Sequence, residues 1–293
     1  MSVVLGLVGA TLSLGTPLVI AAAGETVSER AGVLNIGLEG VMLSSAFAGF
    51  YVSHTTGNPW LGVGGGVAAA ILLTAITSYL VLSIGADQVV VGTGVNLFSL
   101  GLTGSLFVSL FGQTGKLAAV PTVPKTADAL SLNPLMLVGV LCVAFAWFVL
   151  MRTRWGLAAR AAGEAPSAAE AAGYSVIRLR FQAVMFSGVT AGLAGAYLSL
   201  AQTNSFAENM TEGRGFVVIA AVTFGRWTSI GSALACLLIA FAYGLKYLVI
   251  SISLGVPPQL FDALPYLFAL AVLAGAGRGA IAPSALATPY RRG

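Results

Sequence analysis

The chain alternates long apolar runs with short polar connectors, and most of the apolar runs are close to 20 residues long. A helix needs about 20 apolar residues to cross the hydrocarbon core of a bilayer. Unbroken apolar runs indicate helices, because the strands of a membrane barrel alternate polar and apolar residues. The run lengths and breaking residues predict eight spanning helices, at residues 3–23, 34–53, 60–84, 88–111, 134–151, 181–204, 230–251 and 260–276.

The most polar interruption is the 29-residue segment 152–180, which holds five of the fourteen Lys and Arg residues. Basic loops that flank membrane spans stay on the cytoplasmic side. This rule places segment 152–180 in water on that side and makes it the best candidate for a docking surface. The N-terminus is then outside, and the tail 277–293, with Arg278, Arg291 and Arg292, is inside.

The number of crossings agrees with this orientation only if residues 215–225, GFVVIAAVTFG, also cross the membrane and bring Arg226 to the cytoplasmic side. At about 1.5 Å per residue, an ordinary helix of that length covers only about half of a ~30 Å core. The pattern therefore predicts a short half-helix joined to unwound backbone. Such backbone is tolerated at this depth only where protein buries it or a hydrated cavity adjoins it.

A second irregular stretch lies at residues 25–42, where Asn35 and Glu39 fall at the start of the second predicted span. Glycines at positions 32, 37 and 40 weaken the helix around them. Paired interruptions of this kind point to a translocation path in transporters. The alternative for Glu39 is that it caps a helix N-terminus near the interface, where the helix dipole favours an acid.

Segment 152–180 also has a predicted local structure. Gly156 is expected to end the fifth helix, and a turn follows around Pro166. Ser167 and Glu170 have the spacing of a capping box, and Gly173 is expected to be the C-cap glycine of the short helix between them. The alternative is a solvated connector without a role, although ordinary connectors are shorter.

Composition excludes several classes of function. The chain is 57% hydrophobic, has a mean hydropathy of +0.93 and is 8% charged, which excludes a soluble globule. The net charge of +4 reflects loop topology, so no nucleic-acid partner is expected. With one histidine, His54, and two cysteines inside apolar runs, neither a metal site nor an enzyme's nucleophile and base is expected. The phosphate-binding loop G-x-x-x-x-G-K-[ST] is absent, so this chain is expected to bind no ATP.

Three separated stretches carry a family resemblance: ERAGVLNIGLEGVM, RTRWGLAARAAGEAPSAAEAAGYSV and MTEGRGFVVIAAVTFGRW. In order and spacing they resemble the permease subunits of bacterial ABC importers for ribose, branched-chain amino acids and nucleosides. The resemblance is closest to the shorter permease of nucleoside importers, and it runs from about residue 17 to residue 277. It implies one all-α membrane domain with the type II importer fold, discontinuous helices and alternating access.

The resemblance also implies partners. These are an ABC ATPase that binds ATP and Mg²⁺, a second and longer permease that forms a heterodimer with this chain, an extracytoplasmic substrate-binding lipoprotein, and the lipid of the inner membrane. It further implies that residues 164–173 form the coupling helix that contacts the ATPase. The coupling residues are then Gly163, Glu164, Pro166, Ala169, Glu170 and Gly173.

Candidate path residues rest on chemistry within the spans. Asn96 is an amide in the middle of the fourth span, where it either contacts a solute hydroxyl or makes an interhelical hydrogen bond. Phe98 and Phe216 offer apolar faces to a base, although spans more often use such rings for packing. Thr223 either lines a polar channel or bonds its own helix. Asn35 and Glu39 complete the set.

Alternatives remain for the function. A branched-chain amino acid or pentose permease fits the same resemblance, and only the residues of the stretch ERAGVLNIGLEG favour nucleosides. An ion-coupled secondary transporter would also use broken helices. It is expected to carry several carboxylates deep in its spans, whereas Glu39 is the only acid clearly inside a predicted one.

Overall fold

The computed structural model describes residues 2–112, 120–125, 132–251 and 281–290 of the chain. Within these ranges every regular element is a helix. The helices are α1 Ser2–Arg30, α2 Leu38–Thr56, α3 Pro59–Leu82, α4 Gln88–Phe111, α5 Pro134–Arg152, α6 Arg154–Glu164, α7 Pro166–Ala171, α8 Val176–Tyr197 with a π-helical continuation Leu198–Gln202, α9 Arg214–Phe224 and α10 Ser229–Ser251. The eighth predicted span, 260–276, lies outside the described residues.

In this part of the chain, five helices are long and apolar enough to cross a membrane: α1, α3, α4, α5, and α8 with its π-helical continuation. The predicted second span corresponds to α2, which has 19 residues and buries most of them inside the bundle. α10 corresponds to the seventh predicted span and contains a shorter apolar stretch, Ser229–Leu245. The prediction of an all-α, polytopic membrane bundle is confirmed.

The centre of the bundle is formed by α1, α2 and α8: α8 packs on both α1 and α2, and the three together contact most of the other helices. The outer helices leave large apolar side chains exposed, among them Leu72 on α3, Phe98 on α4 and Phe145 on α5. An apolar exterior of this extent needs lipid or a partner subunit to cover it. Polar buried groups are instead concentrated along the central helices.

Small residues allow α8 to approach α3 closely. A Cβ atom added to Gly188 would lie 2.5 Å from Thr74, and one added to Gly192 would lie 2.8 Å from Ala70. Ala196, one further turn along, is fully buried on the same face. This stripe of small residues therefore serves close helix packing, as is common in membrane bundles.

The expected end of α5 at Gly156 is wrong. α5 ends at Arg152, and Thr153 takes an extended conformation with φ −112° and ψ 155°. The Thr153 hydroxyl then accepts the backbone N–H of Gly156, at 3.0 Å, and caps the N-terminus of α6. Because a threonine N-cap starts a new helix here, Gly156 lies inside α6 and breaks nothing.

The predicted capping box of Ser167 and Glu170 is also wrong. α7 begins at Pro166, its N-cap is Ala165, and no side chain caps it. Proline is well suited to the first helical position because its missing N–H would have no partner there. The start of α7 therefore comes from the proline, one residue before the serine.

The C-cap prediction at Gly173 is confirmed. Gly173 has φ +87°, its N–H donates to the carbonyl of Glu170, and the N–H of Tyr174 donates to the carbonyl of Ala169. These two bonds are the pattern of a Schellman motif, which favours glycine in the left-handed position. The motif ends α7 sharply and turns the chain towards α8.

Candidate translocation site and coupling surface

The break between α1 and α2, residues 31–37, is held by side chains from α4. Gln88 accepts the backbone N–H of Leu34 at 2.9 Å. Asn96 donates to the carbonyl of Ile36 at 2.9 Å and accepts the N–H of Gly40 at 2.8 Å. Backbone groups that a continuous helix would have paired are thus satisfied, as non-helical backbone inside a membrane protein requires.

These contacts show the interhelical hydrogen bonds of Asn96, and solute contact stays a prediction. Both ends of its amide are engaged with backbone at the start of α2, so Asn96 makes the interhelical hydrogen bonds that were the alternative to solute contact. Its amide nitrogen can still donate a second hydrogen bond. Asn96 is therefore a residue that sets the shape of the break.

Glu39, in the first turn of α2, meets the N-terminus of α9. Its carboxylate accepts the backbone N–H of Gly213 at 2.8 Å and also that of Gly215. The side chain is buried, and α2 and α9 approach so closely that a Cβ on Gly215 would lie 2.6 Å from the backbone of Glu39. A carboxylate at a helix N-terminus is favoured by the unpaired N–H groups and the dipole. Glu39 thus caps a helix, but α9 rather than its own.

The backbone that leads into α9 is non-helical and lies against the bundle, with Ser205, Phe206, Met210 and Thr211 buried and most of its other residues exposed. Residues 203–213 follow α2 from Phe50, whose ring lies 6.0 Å from that of Phe206, to Glu39, about three helical turns away. α9 then has only 11 residues, about 16 Å of helix. The half-helix predicted at 215–225 corresponds to α9, and the unwound segment before it packs on the bundle through one side only.

The C-terminus of α9 is held by the last turn of α1. Trp227 donates its indole N–H to Glu29 at 2.6 Å, and Arg30 donates its Nε–H to the carbonyl of Trp227 at 2.7 Å. Arg30 also lies 4.0 Å from Glu164 at the end of α6. The residues after α9, the end of α1 and segment 152–180 therefore share one end of the bundle, as the count of crossings required.

The statement that Glu39 is the only acid inside a span is wrong. α1 continues to Arg30, seven residues beyond the predicted end at residue 23, and carries Glu25 and Glu29 into the interior. Glu25 accepts the N–H of Asn35 at 3.0 Å and the hydroxyl of Ser187 at 2.9 Å. Hydropathy treats such residues as solvated, because it measures transfer into lipid rather than into a hydrogen-bonding bundle interior.

The buried acids Glu25 and Glu29 were missed by sequence reasoning, although a signal for them existed. They are four residues apart, and after Gly24 no Gly or Pro occurs until Gly32, which has φ +93°. A helix continuing through this stretch places both carboxylates on one face. Within the described ranges, no group of three or more His, Cys, Asp and Glu side chains is assembled that could bind a metal ion.

The other candidate path residues divide into those near the α2 break and Glu39 and those away from them. Asn35 joins the break, since its side-chain N–H₂ donates to Ser187 at 3.4 Å. Phe98 is 56% exposed on the outer face of α4, away from Glu39 and Asn96. Phe216 is 50% exposed beside the Glu39 end of α9, and Thr223 bonds the carbonyl of its own helix at Ile219. The structure brings together Asn35, Glu39 and Asn96, and only Phe216 of the remainder lies near them.

The predicted coupling residues line the same end as Arg30. Gly163 packs directly on the backbone of Arg30, so closely that a Cβ there would overlap its carbonyl oxygen. Glu164 is exposed, and Pro166 and Glu170 are half-buried. Gly173 turns the chain after α7, as described above.

Ala169 anchors α7 to the bundle, because it is 2% exposed and packs in an apolar cluster with Ala162 and Val176. The side of α7 turned away from the bundle carries small exposed residues. They are Ser167, Ala168 and Ala171, followed by Ala172 at the C-cap. This side is smooth enough to fit closely into a groove of another protein.

Arg180 departs from the prediction that all of segment 152–180 lies in water. It is 1% exposed, and its guanidinium donates to the carbonyls of Ala31, Ala162, Ala285 and Thr288. Backbone carbonyls from three other parts of the chain replace water around the charge. A basic residue at the edge of a polar segment was read as solvated because these carbonyls converge only in the folded chain.

Comparisons with known proteins agree with this architecture. The family described as "Branched-chain amino acid transport system / permease component" matches residues 7–273. A putative glucose ABC transporter permease of Haloferax volcanii is 35% identical over 100% of this chain and 99% of its own length. A guanosine ABC transporter permease of Bacillus subtilis is 32% identical over 98% and 97%. A nucleoside ABC transporter permease of Lactococcus lactis is 32% identical over 94% and 93%.

These matches confirm the resemblance and the exclusion of an enzyme. They also argue against an ion-coupled transporter, a conclusion that cannot rest on the number of buried acids because Glu25 and Glu29 are buried as well as Glu39. Membership implies association with an ATPase and other ABC components. The chain belongs to the family of permease components of branched-chain amino acid transport systems and is a multi-pass membrane subunit of an ABC importer.

Proposed function

We propose that this subunit moves a nucleoside inward by alternating access. The observation that carries the choice of solute is the similarity over nearly the whole chain to permeases named for guanosine and for nucleosides. In this conformation the buried amide and carboxylate at the α2 break and the N-terminus of α9 pair with backbone groups. The second N–H of the Asn96 amide can still donate to a nucleoside hydroxyl or base edge.

A sugar is the second candidate solute, because the 35% identical relative is named a putative glucose permease. Uptake by the importer reconstituted in proteoliposomes with its ATPase, second permease and binding lipoprotein separates the two. We expect ATP-dependent uptake of labelled guanosine that excess inosine suppresses and that glucose, ribose or leucine does not. Uptake of labelled glucose or leucine, with guanosine without effect as a competitor, would reject the nucleoside assignment.

The same proposal includes orientation. The ends of α1, α9 and α6 lie together with residues 281–290, and this end contains Arg30, Arg160, Arg178 and Arg226. The excess of basic residues in cytoplasmic loops assigns this end to the cytoplasm of a bacterial cell. The N-terminus is then on the outer side of the inner membrane, and the loop after α2 faces the binding lipoprotein.

The remaining partners belong to the proposal as well. ATP and Mg²⁺ bind to a separate ABC ATPase, and α7 with its flanking residues 163–173 is the coupling element that contacts it. A longer sister permease completes a heterodimer. The exposed side of α7, formed by small residues, supports the ATPase contact, because small side chains permit close approach of another protein.

Two neighbouring alanines test this contact. Ala168→Trp adds a large ring to the exposed side of α7, and we expect an unchanged melting temperature with loss of most of the nucleoside-stimulated ATP hydrolysis. Ala169→Trp forces a ring into a packed site, and we expect destabilisation by about 1–3 kcal/mol. Thermal unfolding in detergent and ATPase assays in proteoliposomes measure the two effects.

The matched control for the coupling test is Ser83→Trp, at an exposed site that ends α3. This ring lies outside α7, so hydrolysis should stay near the level of the unmodified importer. Equal losses in Ala168→Trp and Ser83→Trp would contradict a specific role for α7.

A further inference from the structure

We propose that residues 281–290 form a strap that positions α7 for the ATPase, a role that rests on the proposed function of α7. The strap lies at the end of the bundle that carries α6 and α7. Two backbone hydrogen bonds dock it: Ala285 donates to the carbonyl of Gly163 at 2.8 Å, and Ala287 donates to that of Gly32 at 3.2 Å. The strap therefore links the end of α6 to the turn that follows α1.

Arg180 holds the strap in place through hydrogen bonds. Two of the four carbonyls that accept from its guanidinium, those of Ala285 and Thr288, belong to the strap. None of the carboxylates in the described ranges lies within ion-pair distance of Arg180. A buried charge is tolerated only when its hydrogen bonds are satisfied. Release of the strap would remove half of these acceptors, so burial of Arg180 and docking of the strap stabilise each other.

The side chains of the strap hold the two acids that flank and end α7. Glu164, two residues before α7, accepts the backbone N–H and the hydroxyl of Ser284, each at 3.2 Å. Glu170, in the last turn of α7, accepts the hydroxyl of Tyr290. The strap therefore runs beside α7 and contacts the chain at both of its ends.

α7 needs such support because of its length. It has six residues, no side-chain N-cap, and one buried side chain, that of Ala169. A helix of one to two turns is not stable by itself. The orientation in which α7 meets a partner is therefore set by its neighbours, and the strap supplies contacts at both of its ends.

The double variant Ser284→Ala/Tyr290→Phe tests the strap without removing the hydrogen bonds of Arg180 or the docking bonds, because all of these use backbone carbonyls of the chain. We expect hydrogen–deuterium exchange of the amides of residues 164–174 to rise by at least about tenfold, the effect of losing the two hydroxyl hydrogen bonds to Glu164 and Glu170 while the Ser284 N–H remains. Exchange in α8 should not change. The measurement uses the full-length permease in detergent and needs neither ATPase nor solute.

The functional arm uses the assembled importer. We expect nucleoside-stimulated ATP hydrolysis by the double variant to fall at least about tenfold. A misplaced α7 transmits conformational change between the permease and the ATPase poorly. Restoring the hydroxyls as Ser284→Thr with native Tyr290 should recover the stimulated hydrolysis. Ala282→Ser, at an exposed site of the strap, is the matched control and should behave as the unmodified protein in both assays.

The outcomes separate the strap from the function of α7. Unchanged amide exchange in the double variant overturns the strap, whatever the ATPase result. Faster exchange with full stimulated hydrolysis overturns its role in coupling. Faster exchange, together with full stimulated hydrolysis in Ala168→Trp, would reject the coupling function of α7 and retain the strap as its support.

Discussion

Glu39→Ala is expected to abolish uptake and to lower the stability of the permease. The substitution removes the acceptor for the N–H groups of Gly213 and Gly215 where α9 begins. Each buried donor left without a partner costs about 1–3 kcal/mol. Because Glu39 is on α2, the change also breaks the direct link between the two interrupted helices. ATP-dependent uptake in proteoliposomes and thermal unfolding in detergent measure both effects.

Glu39→Gln isolates the charge. The amide keeps one acceptor oxygen and the shape of the side chain, so we expect part of the stability loss to be recovered. The favourable interaction of a carboxylate with the N-terminus of α9 is lost, so uptake should remain below that of the unmodified importer. Glu208→Ala, at an exposed site in the segment before α9, is the control and should change neither quantity by much. A Glu39→Ala variant that transports and melts normally would contradict the assignment.

Gly195→Ala is expected to disrupt the packing of α2 on α8. A Cβ at this position would overlap the carbonyl oxygen of Met42 and lie 2.8 Å from the side chain of Ser45. The obstacle is backbone at the centre of the bundle, which cannot move aside as a flexible side chain can. We expect a loss of at least about 1–3 kcal/mol, the usual cost of overpacking, and a fall in the yield of folded protein.

Gly101→Ala on α4 is the matched control for this packing prediction. Its added Cβ would meet nothing within 4 Å, and the residue is exposed. Alanine favours helix over glycine by about 0.5–1 kcal/mol, so the melting temperature should stay the same or rise. Equal destabilisation by the two substitutions would show that glycine at position 195 is not required for close approach.

Hydropathy was sufficient for most of the bundle. The fourth predicted span agrees with α4 at both ends, and the predicted half-helix at 215–225 differs from α9 by one residue at each end. Such elements are visible in sequence because membrane thickness sets the length of an apolar helix. The irregular stretch before Glu39 was visible for a related reason, since polar residues and glycines occur where lipid-facing helix was expected.

The misplaced charged residues Glu25, Glu29 and Arg180 share one cause. Glu25 and Glu29 were placed beyond the end of α1, and Arg180 was placed in water, because each side chain is strongly polar. All three are buried, and the groups that accept or donate their hydrogen bonds lie 10 to 198 positions away in the chain. No local pattern contains those partners. The same reason left the partner of Glu39 unknown, since Gly213 is 174 positions away.

The sequence alone determined that this protein is a helical membrane protein with two interruptions, because the lengths of apolar runs and the placement of charges are set by the bilayer, and the resemblance of three stretches identified it as a permease. Only the tertiary structure decided that the interruptions meet, with Glu39 capping α9, Asn96 holding the α2 break and the strap holding α7. Hydrogen bonds between distant segments made those choices. Their energy depends on atoms being brought within about 3 Å, a distance that only the folded chain defines.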